Sequence, residues 1–208
     1  MTTGGPPSRP PGGDDRFERA IAAIDEANAD DPVTIEVGGH VRPKEQAHAE
    51  MMTAWVRRLD SDANEAQLLA ARAHHLRRWA IPRQTYPDGR AGYLRWRADL
   101  RRRHAAEVGD ILAAVGYESD TIDRVRQIVG KEHLRTDSDV QTHEDALCLV
   151  FLETQIEAVS LQLGDERTID LLRKTLKKMS PPGIEAAFGL SLAGDTRRLW
   201  TAAASTPA

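Results

Sequence analysis

Apolar residues recur along this chain at intervals of three and four, which is the spacing of an amphipathic helix. Phe17, Ile21 and Ile24 are the first such set. The periodicity predicts helices at about 14–29, 43–59, 63–79, 90–115, 119–133, 139–163, 166–179 and 195–203, with a short one after residue 183. We therefore predict an all-α fold, in which one helical domain forms a bundle of about seven to nine helices.

Two segments depart from the helical pattern. Residues 1–13, MTTGGPPSRPPGG, are too rich in glycine and proline to join a core. They are predicted to be a disordered N-terminal tail before a domain at 14–203, with a C-terminal tail at 204–208. Residues 33–40 alternate between apolar and polar and are compatible with a short β-ribbon. Because no other segment offers a partner sheet, they are predicted to be a loop leading to Pro43, in the first turn of the next helix.

The composition is that of an ordinary globular protein. The chain has 208 residues, 29% of them charged, and a net charge of −4, so no general attraction to nucleic acid or membranes is implied. The single cysteine, Cys148, excludes an internal disulfide and lies in the apolar run 146–152. It is predicted to be a buried small hydrophobe, which is typical of a reducing compartment. That run is too short to span a bilayer, and the N-terminus lacks the apolar segment of a signal peptide. We therefore predict a cytoplasmic protein with no membrane partner.

The strongest candidate chemistry lies near the end of the third predicted helix, in the string AHHLRRW at 73–79. Adjacent residues on a helix point about 100° apart, so His74 and His75 cannot share one face. Near a helix end, however, both can reach a ligand beyond the terminus. Imidazole is the commonest metal ligand, and the arginine guanidinium matches phosphate oxygens. The alternative is one hydrogen-bonded core histidine and one exposed histidine.

Three further side chains, each on a different predicted helix, are candidates to meet this pair. His48 lies on the apolar side of the second helix, and His133 lies at the end of the fifth. Asp145 lies just before the apolar run of the sixth helix, which should be the most buried. A carboxylate entering a core is costly unless it is paired, hydrogen-bonded or bound to metal. Each residue also has a structural interpretation: a buried histidine bonded to a carbonyl, a helix-dipole partner and a first-turn carboxylate, respectively. Their combination with His74 and His75 favours one shared site.

The order of these residues along helical segments resembles the HD superfamily of metal-dependent phosphohydrolases. The resemblance implies an HD-like bundle and a divalent metal (Mn, Fe, Co, Ni or Zn), with ligands His48, His74, His75 and Asp145. His48 and His74 are 26 residues apart (74 − 48), which is an ordinary spacing for the superfamily. The chain departs from the pattern at His75, where the superfamily has the aspartate of its His-Asp pair.

The same resemblance extends to residues around the metal. It implies that Glu144 or His133 transfers a proton and that Arg78 replaces a lysine that contacts substrate phosphate. The strings AHHLRRWAIPR, GYLRWR and KMSP also resemble an uncharacterised bacterial and fungal family, the domain-of-unknown-function 4202 family, over about residues 15–195. That family is usually grouped with HD-like folds, and the resemblance implies nothing about substrate.

Positive charge is concentrated in residues 72–103, called the arginine belt below. The belt has ten arginines, no lysine and two acids, a local balance of +8 (10 − 2). Trp79, Tyr86, Tyr93 and Trp96 are interleaved with the arginines. Arginines beside aromatic rings suit a phosphate with a stacked base, or single-stranded nucleic acid. The alternative is a solvated helix face whose aromatic residues belong to the core.

The arginine belt adjoins the histidine pair. We therefore predict that Arg77, Arg78 and Arg83 bind the phosphate of a small phosphorylated ligand such as a nucleotide, with RNA as an alternative partner. The first functional hypothesis is an HD-like metal-dependent phosphohydrolase acting on a nucleotide or other phosphoester. The second is a non-catalytic HD-like module that binds nucleotide or RNA through the belt. The third is a helical scaffold without a small ligand. Metal content distinguishes the first from the others, and the pattern specifies neither substrate nor oligomeric state.

Overall fold

Helices make up most of the computed structural model, which describes residues 13–205 of the chain. Its strands and α-helices are α1 Gly13–Ala29, β1 Thr34–Val37, β2 His40–Pro43, α2 Lys44–Leu59, α3 Glu65–Arg72, α4 Gly89–Val115, α5 Ser119–Gly130, α6 Ser138–Thr154, α7 Ile156–Leu163, α8 Asp165–Leu176, α9 Pro181–Phe188 and α10 Gly194–Ala204. Two 3-10 helices, Arg78–Ala80 and Arg83–Thr85, lie between α3 and α4. The prediction of a single all-α domain is confirmed for this part of the chain. Of the predicted tails, residues 1–12 and 206–208 lie outside the described range.

Residues 33–40, predicted to be a loop, instead belong to a two-stranded antiparallel ribbon. β1 and β2 pair along their whole length, and Gly38 and Gly39 form the turn between them with φ of +59° and +78°. Positive φ at both turn residues matches the twist of the strands, and glycine adopts it without steric cost. The prediction was wrong because the segment pairs with itself and needs no other sheet.

The base of this ribbon is bonded to the start of α2. The Asp31 carboxylate accepts hydrogen bonds from the backbone N–H groups of Val33 and Glu45, both at 2.9 Å. Asp31 is buried, so water competes little for these bonds. They fix the first turn of α2, the helix that carries Glu45 and His48 into the interior.

The third helix is shorter than predicted. α3 begins with a capping box formed by Asn64 and Gln67 and ends at Arg72 rather than near 79. Beyond it, the backbone of His75 and Arg77 is left-handed, with φ of +59° and +47°. This conformation costs a residue other than glycine roughly 1–2 kcal/mol, so helix periodicity does not anticipate it. The histidine pair therefore lies in the turn after α3 and not on the helix.

Two later helices also differ from their predicted bounds. α5 ends at Gly130, because Lys131 and His133 are left-handed with φ of +57° and +58°. The helix predicted at 139–163 is divided at Gln155 into α6 and α7, whose axes differ by 67°. Gln155 has a non-helical φ of −128°, although it is neither glycine nor proline. In the described part of the chain, no single helix is long and apolar enough to cross a membrane. The α6–α7 pair reaches that length and composition only when its two bent halves are joined.

Two apolar clusters fill the interior. One gathers buried residues mainly from α2 and α6 to α10, among them Met52 and Trp200. The other joins α1, α3, α4 and α5 around residues such as Leu69 and Leu112. Cys148 is buried in the first cluster, as predicted. Polar side chains from α2, from the turn after α3, and from α4 and α6 meet where the two groups of helices adjoin.

Candidate functional site

A small cavity of about 40 Å³ lies against the turn that follows α3. Its walls come from that turn, from one face of α4 and from the end of α5, and they comprise His74, His75, Arg78, Arg97, Leu100, Arg101, His104, Val129 and Lys131. Arg97, Arg101 and His104 share a face of α4 because they are spaced by four and three residues. No acidic side chain of the described residues lines the cavity. Four of these nine residues carry a cationic group, which favours a negatively charged ligand over a cation.

His75 is held from both ring nitrogens. Its Nε2 lies 2.9 Å from Nη1 of Arg78, and Nε2 is the acceptor because a guanidinium only donates. The hydrogen therefore sits on Nδ1, which lies 3.3 Å from Oε2 of Glu45. The pKa of His75 is well below its ordinary value of 6.5, mainly because the ring is buried. The ring is therefore neutral at pH 7. The contacts with Glu45 and Arg78 fix both the tautomer and the orientation of the imidazole.

Arg78 is oriented without any ligand. Its guanidinium lies over the indole of Trp96, 4.9 Å from the ring centre, and the Trp96 Nε1–H donates to the Ile81 carbonyl at 2.9 Å. Burial is the main cause that lowers the pKa of Arg78, while the charge of Glu45 raises it. A guanidinium that is already oriented loses less entropy on binding an anion than a flexible surface arginine does.

His104, a residue of the cavity wall, has one ring nitrogen that is free to accept a hydrogen bond. Its Nδ1 lies 2.7 Å from the Leu76 carbonyl oxygen, which can only accept, so Nδ1 carries the hydrogen. Nε2 is then unprotonated, and it has no hydrogen-bond partner within residues 13–205. Nε2 of His74, another residue of the cavity wall, also lacks such a partner in that range. Leaving a buried polar group unpaired costs roughly 1–3 kcal/mol, so a ligand or water that bonded to these two ring nitrogens would stabilise the site.

Two buried imidazoles, those of His74 in the cavity wall and His143 behind it, support His75. The His74 ring stacks on His75 with ring centres 3.7 Å apart, and its Nδ1 lies 3.2 Å from Nε2 of His143. Burial lowers the pKa of His143 to about 3 and that of His74 well below 6.5. These rings therefore position His75 by packing without adding charge.

Lys131 reaches the cavity from the left-handed turn after α5. Its ammonium forms an ion pair with Glu144, and Nζ of Lys178 lies 3.8 Å from the same carboxylate. Glu144, predicted to transfer a proton, is buried between these two lysines and does not line the cavity. Because Glu144 neutralises Lys131, the net positive charge of the cavity comes from its arginines.

The predicted metal ligands do not converge on one point. The Asp145 carboxylate accepts hydrogen bonds from the Ser180 backbone N–H at 2.9 Å, the Ser180 hydroxyl at 2.5 Å and the Gln141 amide at 3.0 Å. His48 is buried as predicted, and its Nε2 lies 3.2 Å from the Thr154 hydroxyl. In the described part of the chain, no group of three or more His, Cys, Asp or Glu side chains is arranged to hold a metal ion. The ligand set implied by the HD resemblance therefore does not fit this structure.

The other predicted residues are spread around the site. Of the three arginines predicted to bind phosphate, Arg78 lines the cavity and the other two do not. Arg77 is exposed, and its backbone N–H donates to an asparagine of α1 at 3.0 Å. Arg83 donates to two backbone carbonyls, both at 2.9 Å, and so stabilises the loop before α4. His133 is exposed and lies outside the cavity walls.

The sequence patterns did not predict several residues of the site, namely Glu45, Arg97, Arg101, His104 and Lys131. A signal was present for some of them. Arg97, Arg101 and His104 are at helical spacing, and all but His104 are arginines of the belt. Glu45 lies one helical turn before His48. Spacing shows which residues share a helix face, but not which faces of different helices meet.

Comparisons with known proteins identify a family for the chain. The family model described as a domain of unknown function (DUF4202) matches residues 18–199. The search of curated proteins and the search of solved structures gave no match. The matched range runs from α1 into α10 and includes every residue of the cavity. The chain therefore belongs to the DUF4202 family, a domain of unknown function.

Proposed function

We propose that the protein binds a small phosphate-bearing ligand in the cavity beside His75. The observation that carries this proposal is the composition of the walls, in which three arginines and Lys131 face a space that no acidic side chain of residues 13–205 lines. Guanidinium groups match phosphate oxygens in pairs and stay charged at physiological pH. Since Lys131 is paired with Glu144, a bound anion is balanced mainly by the arginines.

The histidines of the cavity suit the same ligand. Arg78 and its neighbours donate hydrogen bonds, whereas Nε2 of His104 can only accept one in its neutral form. A phosphomonoester offers both kinds of partner, because its second pKa of about 6 leaves a P–OH group on part of the population. A phosphate could therefore satisfy the guanidiniums and the unpaired Nε2 together.

Arg97→Ala and Arg101→Ala should each weaken binding of ribose 5-phosphate by about 10- to 150-fold, since each removes a charge-assisted contact of roughly 1.5–3 kcal/mol. Isothermal titration at low salt measures the affinity, and thermal stabilisation by the ligand should fall as salt rises. Arg95→Ala is the matched control, because this exposed arginine of α4 lies outside the cavity. Unchanged affinity in the first two variants would overturn the proposal, as would a wild type that binds no phosphate compound.

A second candidate function is hydrolysis of the bound phosphoester, the activity that the HD resemblance implies. The observation that favours it is the contact of Glu45 with Nδ1 of His75, at 3.3 Å. A carboxylate at Nδ1 leaves Nε2 as the basic nitrogen of the ring. A phosphate that binds Arg78 would release Nε2 from its present donor, and Nε2 could then take a proton from a water whose oxygen bonds to phosphorus. The ester P–O bond breaks in this step, and the imidazolium returns the proton to the departing alkoxide as an alcohol.

Phosphate release from nucleotides and sugar phosphates tests this second function. Glu45→Gln should lower kcat by about 10²- to 10⁴-fold with little change in KM, because the carboxylate orients the imidazole and does not touch the ligand. Glu157→Gln, at an exposed position of α7, should leave kcat unchanged. The assays are run without metal and with each of Mn, Fe, Co, Ni and Zn. If no condition releases phosphate, hydrolysis is excluded and binding alone stands.

A further inference from the structure

Two aromatic rings form a ledge on α4 beside the cavity. Tyr93 and Trp96, called the aromatic ledge below, have ring centres 5.9 Å apart. Tyr93 is 43% exposed, although an aromatic ring of this size normally contributes a large buried area. It lies one helical turn before Arg97 and three turns before His104, so it continues the helix face that lines the cavity. The exposed ring therefore lies on the same face of α4 as Arg97 and His104, which line the proposed phosphate site.

Each ring of the ledge is covered by a guanidinium that also lines the cavity. Arg97 lies over Tyr93 at 5.7 Å from the ring centre, and Arg78 lies over Trp96 at 4.9 Å. Trp96 is only 8% exposed, so Tyr93 supplies the accessible surface of the ledge. A phosphate that draws Arg97 into the cavity would uncover one face of Tyr93. The same arginine therefore couples the phosphate site to the aromatic surface.

The cavity is sized for a single phosphoryl group. Its volume of about 40 Å³ corresponds to roughly three water molecules, at about 10–15 Å³ for each. The oxygens of one terminal phosphate can occupy such a space, whereas an internal phosphodiester would have to pass two further chain atoms through it. The remainder of the ligand must lie outside the cavity, where the aromatic ledge is.

We propose that the ligand is a nucleoside monophosphate, whose phosphate enters the cavity and whose base stacks on Tyr93. This inference rests on the proposed phosphate site and adds the ligand class and the residue that selects it. A nucleobase is flat and stacks on aromatic and guanidinium faces, whatever its hydrogen-bonding edge. A sugar phosphate enters the cavity equally well but has no ring to place on the ledge. The ledge therefore selects a nucleotide from the other phosphomonoesters.

Isothermal titration of the full chain with AMP, ribose 5-phosphate, inorganic phosphate and adenosine tests this inference. Wild type should bind AMP about 5- to 150-fold more tightly than ribose 5-phosphate, as stacking on one aromatic side chain provides. Tyr93→Ala should abolish this preference and leave the affinity for ribose 5-phosphate unchanged, while Tyr93→Phe should retain it. Leu94→Ala is the matched control, because Leu94 is 51% exposed but points about 100° away from Tyr93 around the helix.

The results of these titrations distinguish failure of the nucleotide assignment from failure of the phosphate site on which it rests. Equal affinities of wild type for AMP and ribose 5-phosphate, or a preference that survives Tyr93→Ala, overturn the role of the ledge and leave the phosphate site standing. Failure of every phosphate compound to bind overturns both. Tighter binding of an oligonucleotide without a terminal phosphate than of AMP overturns the mononucleotide assignment in favour of RNA. Melting temperatures of the variants show that each one is folded before it is titrated.

Discussion

The free energy of unfolding should fall steeply when the pH is lowered from about 6.5 towards 4, because buried histidines stay neutral in the folded chain. Burial lowers the pKa of His48 and His104 to about 4 and that of His143 to about 3. The pKa values of His74 and His75 also lie well below 6.5, again mainly because of burial. Three of these residues, His74, His75 and His104, line the cavity.

The direction of this pH dependence follows from how many protons the folded and the unfolded states take up. In the unfolded chain each histidine takes up a proton below its ordinary pKa of about 6.5. In the folded chain His48, His104 and His143 stay neutral to about pH 4 or lower, and His74 and His75 stay neutral to well below pH 6.5. In this interval the unfolded state binds more protons, so acid favours unfolding by roughly 1.4 kcal/mol per pH unit for each histidine. Glu45 and Asp145 act in the opposite direction, because burial raises their pKa values. The five histidines whose pKa values are lowered outnumber these two carboxyl groups, so the net effect is a loss of stability.

Urea unfolding at pH 8, 7, 6 and 5, followed by circular dichroism, measures this dependence. His143→Gln removes one buried titrating group and should reduce the slope by roughly 1.4 kcal/mol per pH unit, whatever it costs in stability at pH 8. His40→Gln, at an exposed position of β2, should leave the slope as it is in wild type. A stability that is constant between pH 8 and 5 would contradict the burial of these histidines in neutral form.

A second large loss of stability is expected when Gly183, on α9, is replaced by alanine. A Cβ at this position would lie 2.6 Å from Cγ and 2.8 Å from Oδ1 of Asp145. Asp145 cannot withdraw without cost, because its carboxylate accepts bonds from Ser180 and Gln141. Overpacking costs roughly 1–3 kcal/mol, and a lost hydrogen bond to a charged group costs roughly 1.5–3 kcal/mol. We expect Gly183→Ala to lower the free energy of unfolding by about 3 kcal/mol.

Gly194→Ala is the matched control for this prediction. Nothing lies within 4 Å of a Cβ placed at Gly194, and alanine is the better helix former, so stability should hold or rise slightly. Chemical denaturation of both variants at pH 8 compares them directly. Because Asp145 lies outside the cavity, the folded Gly183→Ala variant should bind ribose 5-phosphate as wild type does. Weaker binding would instead place Asp145 among the groups that act on the ligand.

Apolar periodicity predicts the fold well where a helix packs one face on a core. The predicted bounds of α1, α2 and α4 differ from those observed by one residue at most. The same method fails where the backbone leaves the helix without a glycine or proline, as at His75 and Gln155. There, tertiary packing overrules local preference, and a single sequence carries no record of it. At Gly38-Gly39 two adjacent glycines indicate a tight turn, and a hairpin needs no second sheet.

For the candidate site, the sequence predicted where the site lies better than it predicted which residues form it. His74, His75 and Arg78 do meet at one cavity. Glu144 and Asp145 are adjacent on α6, so their side chains point about 100° apart and only one of them can face the cluster. The rotation of α6 against its neighbours turns Glu144 towards Lys131 and Asp145 towards α9. That rotation depends on how the two apolar clusters pack, which residue spacing within one helix does not encode.

The left-handed residues beside the cavity limit how this chain can adapt to heat. His75, Arg77, Lys131 and His133 each hold a conformation that costs roughly 1–2 kcal/mol and that glycine adopts freely. At Arg77 and His133, whose side chains lie outside the cavity, exchange for glycine gives a warm-adapted lineage an accessible gain in stability. At His75 and Lys131 the same exchange removes an imidazole or an ammonium from the cavity wall. Adaptation to heat and ligand binding therefore conflict at His75 and Lys131, and they are independent at Arg77 and His133.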